Sequence, residues 1–61
     1  MSALDELIET ANRLCTSLEI AAENEKIYST NVCLELERYS WEIYRMMNDI
    51  KVIREYVNGG V

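Results

Sequence analysis

Sixty-one residues carrying a net charge of −5, with no His, no Pro and two Cys, allow one small domain and exclude several functions at once. Without His no side chain titrates near neutral pH unperturbed, so the common catalytic triads cannot be assembled, and two thiols alone do not make a zinc site. An apolar fraction of 49% is too high for a disordered segment, yet a chain this short buries only about 60% of its unfolded surface, so self-association is expected to complete the core.

The first element starts at the amino terminus. Ser2 followed by Asp5 resembles a capping box with Asp in place of Glu, and Asp5, Glu6 and Glu9 suit the positive end of a helix dipole. The segment Met1 to Glu6 carries no basic region and no apolar run, and no stretch of the chain reaches membrane-spanning length, which predicts a cytoplasmic protein without a membrane partner. In that compartment Cys15 and Cys33 are expected to behave as small hydrophobes. Apolar residues then recur as Leu4, Leu7, Ile8, Ala11, Leu14, Cys15, Leu18, Ala21 and Ala22, three per heptad, the width a bundle helix needs.

The polar stretch from Glu23 to Lys26 and the cap-forming trio Ser29, Thr30 and Asn31 predict a turn at about 25–31, between a helix at about 3–24 and another at about 32–57. No Gly marks that turn, and Tyr28, Val32 and Leu36 step by four, a stutter that one long continuous helix in a coiled coil could absorb. The fold expected is all-α: a helical hairpin of two antiparallel helices that self-associates into a bundle, with the continuous helix as its alternative.

The second helix carries the strongest periodicity, Leu36, Tyr39, Ile43, Met46, Ile50, Ile53 and Val57, in unbroken alternation of three and four. With Leu7, Leu14 and Leu18 of the first helix, Leu36, Tyr39, Ile43, Met46, Ile50 and Ile53 are the expected self-association core. Asn58, Gly59 and Gly60 offer the left-handed backbone that closes helices, so 58–61 is expected to be a disordered tail.

A second series in the same helix includes Leu34, Arg38, Trp41, Arg45 and Val52. With Tyr44 beside them, these residues place the only Trp between two arginines on a face that should be polar. Trp and Arg are enriched where binding energy concentrates, so Leu34, Arg38, Trp41, Tyr44, Arg45 and Val52 are the candidate partner-binding residues. The plainer alternative is a cation–π contact of Trp41 with an arginine of its own helix. An acidic stripe through Asp5, Glu9, Glu19 and Glu23 reads first as a solubilising face and second as a mimic of nucleic-acid phosphates.

No catalytic residue, metal ligand or cofactor is expected. Residues 1–25 hold all the excess negative charge and residues 26–61 are neutral, which argues against duplex DNA. The sequence predicts a homodimer or higher oligomer, of the size of accessory and phage-encoded regulators, that binds one larger protein as adaptor or inhibitor. Two alternatives are a bundle that grips RNA or a small anionic ligand, and a purely structural subunit of a larger homo-oligomer.

Overall fold

A computed structural model describes residues 2–59, which form two α-helices, α1 (Ala3–Glu25) and α2 (Thr30–Val57), folded back on one another as an antiparallel hairpin. The single-helix alternative is thereby overturned. The Cα trace extends 47 × 19 × 9 Å, a slab one helix thick.

Each boundary has a local cause. The Ser2 hydroxyl oxygen accepts from the Asp5 amide at 3.2 Å and donates its own proton to the Asp5 carboxylate at 3.0 Å, so the expected box closes through the hydroxyl. Ser29 caps α2 in the same way, accepting from the Val32 amide at 3.3 Å. The second helix therefore starts two residues earlier than the composition suggests, and the turn shrinks to residues 26–29. The Tyr28 and Ser29 amides close that turn on the Glu25 carbonyl, at 2.9 and 2.7 Å. No residue of the turn has positive φ, so no Gly is required there. At the far end Gly59 adopts φ +84° and its amide reaches the Tyr56 carbonyl, the left-handed stop that Cβ-bearing residues adopt only with strain. Of the expected 58–61 tail, Gly60 and Val61 lie outside the described residues.

The hairpin seam uses a neighbouring stripe of each helix and not the expected self-association core. Ile8, Ala11, Cys15 and Ala22 of α1 are buried against Cys33, Ser40, Met47 and Ile50 of α2, with Leu4, Leu18, Leu36 and Ile43 half-buried beside them. Leu7, Leu14, Tyr39, Met46 and Ile53, expected in the core, are exposed in the single chain. The reason is steric. Ala, Cys and Ser side chains on both helices let the backbones approach, whereas a Tyr39 ring in the seam would hold them apart. Close approach also satisfies the Cys15 thiol, which donates to the Ser40 carbonyl at 3.6 Å.

One ion pair clasps the open end. Arg54 in the last turn of α2 donates to Asp5 in the first turn of α1 at 3.0 Å, each charge lying at the helix end whose dipole favours it. The Arg54 hydrogen bond, and after it the Ser2 hydroxyl, holds the Asp5 carboxyl below its usual pKa. A carboxyl depressed by folding stabilises the fold above its unfolded pKa, and this contribution disappears as the pH falls through the folded value. Asp5→Asn is therefore expected to lower the thermal midpoint at about pH 6, with the gap to the parent chain closing as the pH falls below the ordinary carboxylate range. Melting both chains across that range by circular dichroism checks it; an equal gap at both ends would exclude the clasp.

Candidate functional site

The seam divides the slab into two faces of opposite character. In an antiparallel pair, positions with the same offset from the seam fall on the same face, because the approximate two-fold axis relating the helices runs from front to back. Residues four after a seam position, Glu19 on α1 and Tyr44 on α2, share one face. There Cys15, Glu19, Ser40, Trp41 and Tyr44 line a single groove. Residues one before a seam position share the other face. They include Leu7, Leu14 and Ala21 on α1 and Val32, Tyr39 and Met46 on α2, and Ile53 continues the α2 row one heptad after Met46.

On the first face Trp41 is 67% exposed, and it meets the Tyr44 ring edge-on, with centroids 6.2 Å apart and planes at 77°. That geometry suits the ring quadrupoles and pre-orients the indole without burying it. The floor beneath the indole continues over Ala22 and Ser40, and its walls are Glu19, Glu23 and Glu37. Glu37 also accepts from the Cys33 thiol at 3.3 Å, and burial together with that carboxylate pushes the Cys33 pKa up, so the thiol stays protonated and inert. Among the described residues no Lys or Arg lines this groove.

The six residues expected to bind a partner are not one patch. Trp41 and Tyr44 are brought together. Arg38 leaves them: its guanidinium holds Glu35 at 2.7 Å and Glu42 at 3.7 Å and lies 5.2 Å from the centre of the Tyr39 ring. The carboxylate of Glu35 raises the Arg38 pKa further. The cation–π contact that the sequence offers to Trp41 is thus made to Tyr39, and Trp41 takes Tyr44 instead. Arg45 lies over Glu42, Met46 and Asp49, Val52 beside Lys51, Glu55 and Tyr56, and Leu34 stands exposed on the outer surface.

Glu19, Glu23 and Glu37 are the groove residues that the sequence reading missed. The first two fall in the acidic stripe assigned to the outside of α1, but the hairpin register brings them over Trp41. Counting residues back from a known turn would have found them.

Among the described residues no helix is long and apolar enough to cross a membrane, and no three His, Cys, Asp or Glu side chains could together hold a metal ion. No family model, no curated protein and no solved structure matches the chain.

Proposed function

We propose that the chain is a self-associating, cytoplasmic helical binding module, not an enzyme, and that it acts as adaptor or inhibitor by docking a larger protein on its Trp41 face. The observation that carries this is the Trp41 groove itself. The largest side chain of the protein stands two-thirds exposed on an oriented aromatic partner, above carboxylates contributed by both helices. A rigid, exposed indole is the kind of anchor that dominates interface energies. The groove chemistry also selects the partner's charge. Glu19, Glu23 and Glu37 favour a basic segment whose Lys or Arg stems pack on the indole while their heads meet carboxylates. The same walls repel phosphate, which disfavours the RNA or small-anion alternative.

A pull-down with the tagged full chain, run beside a Trp41→Ala bait after nuclease treatment, tests the proposal. One protein recovered in stoichiometric amount by the parent and lost with Trp41→Ala is expected. Recovery of RNA in its place, or equal recovery by both baits, would overturn it.

A further inference from the structure

The face opposite Trp41 is apolar from end to end. Leu7, Leu14, Tyr39, Met46 and Ile53 are each between 44% and 51% exposed, and the half-buried Leu18, Leu36 and Ile43 emerge between them. Beneath it the core is thin, since four of the seven buried hydrophobic residues are Ala or Cys. A compact folded chain of 7.1 kDa exposes about 4,100 Å². This hairpin exposes 4825 Å², roughly 700 Å² more, close to the ~800 Å² per partner that a standard stable interface covers.

We infer that this face is covered by a second copy of the chain, two hairpins stacking as a four-helix bundle in which α1 of each lies over α2 of the other. The pairing follows from the rims. Along the outer edge of the apolar face, α2 carries Glu35, Glu42 and Asp49; Arg38 engages the first two and Arg45 lies beside the last two, which leaves one net negative charge. The matching edge of α1 is Thr10, Ser17 and Asn24, with the Arg13 guanidinium drawn to the Thr10 hydroxyl at 3.5 Å. Stacking α2 on α2 would set two acidic rims against each other. Stacking α1 on α2 sets an acidic rim against a neutral one bearing Arg13, and it keeps both Trp41 grooves outward. The inference rests on the proposed self-association and adds its copy number and its pairing.

Sedimentation equilibrium and concentration-dependent melting of the full chain test it. A mass of two chains at micromolar concentration is expected, with a thermal midpoint that rises with chain concentration, because folding and association are linked. Met46→Asp is expected to shift the mass to one chain or to unfold the protein. Arg13→Glu, at an exposed rim position where the fold itself is indifferent, is expected to weaken the dimer by about threefold to tenfold, the effect of reversing one or two rim charges. A monomer with a concentration-independent midpoint would overturn both self-association and this dimer. A larger oligomer would overturn the two-hairpin bundle alone, and an Arg13→Glu dimer as tight as the parent would overturn the pairing.

Discussion

Ile50→Asp is expected to abolish the helical signal of the chain at 25 °C. Ile50 packs with Ile8, Ala11 and Met47 in the apolar cluster of the seam. Arg54, one turn further along α2, is already held by Asp5, so a carboxylate at position 50 is buried unpaired, which costs several kcal/mol against a total stability of about 5–10 kcal/mol for a domain of this size. Val52→Asp, on the outer side of the same helix, is the control. Its side chain is exposed, so the change is expected to stay within about 0.5 kcal/mol. Far-UV circular dichroism of the two variants separates seam from surface. A folded Ile50→Asp chain with a sharp melting transition would mean that the helices meet along some other line.

The same comparison explains why the sequence points to the hairpin more readily than to its seam. Ser2, the acidic first turn and Gly59 mark the outer ends openly, because capping is local chemistry. The central turn is hidden, since residues 26–29 turn with ordinary backbone angles and Ser29 caps without an acidic partner at Val32. In α2 two heptad series share Leu36, Ile43 and Ile50. One adds Tyr39, Met46 and Ile53; the other adds Cys33, Ser40 and Met47. Hydropathy favours the first, and steric access favours the second, because close helices need small residues between them. Periodicity reports which residues avoid water. It does not report which of two neighbouring stripes meets the partner helix first.

Half of the Trp41 groove was hidden for a related reason. Trp41 stands out by its type and its outward position, but Glu19 and Glu23 lie about twenty residues away in sequence and reach it only through the antiparallel register. Arg38 looked like a flank of the indole because it precedes Trp41 by three residues. Its closer carboxylates, Glu35 and Glu42, take the guanidinium to the other side of the helix. A charged side chain goes to its best local partner, and spacing alone does not reveal which that is.

Trp41→Ala is expected to separate binding from folding. Its ring is mostly exposed and meets the Tyr44 ring edge-on, so truncation is expected to cost the fold no more than about 0.5–1.5 kcal/mol, whereas removing a buried Trp costs about 3–5 kcal/mol. Against the docked partner the same change removes the anchor, and loss of a hot-spot side chain at about 2–4 kcal/mol corresponds to a roughly 30- to 1,000-fold weaker complex. Charge reversal adds a sign. Glu19→Lys and Glu23→Lys are expected to weaken binding of a basic segment. Arg38→Glu is expected to change it little, because that guanidinium is already held by Glu35 and Glu42 on the far side of α2. Measuring the affinity and the melting midpoint of each variant against the recovered partner decides the matter. Unfolding of Trp41→Ala would make the indole part of the core, and tighter binding by Glu19→Lys would mean that the groove holds an anion, so that the carboxylates around Trp41 oppose the ligand instead of selecting it.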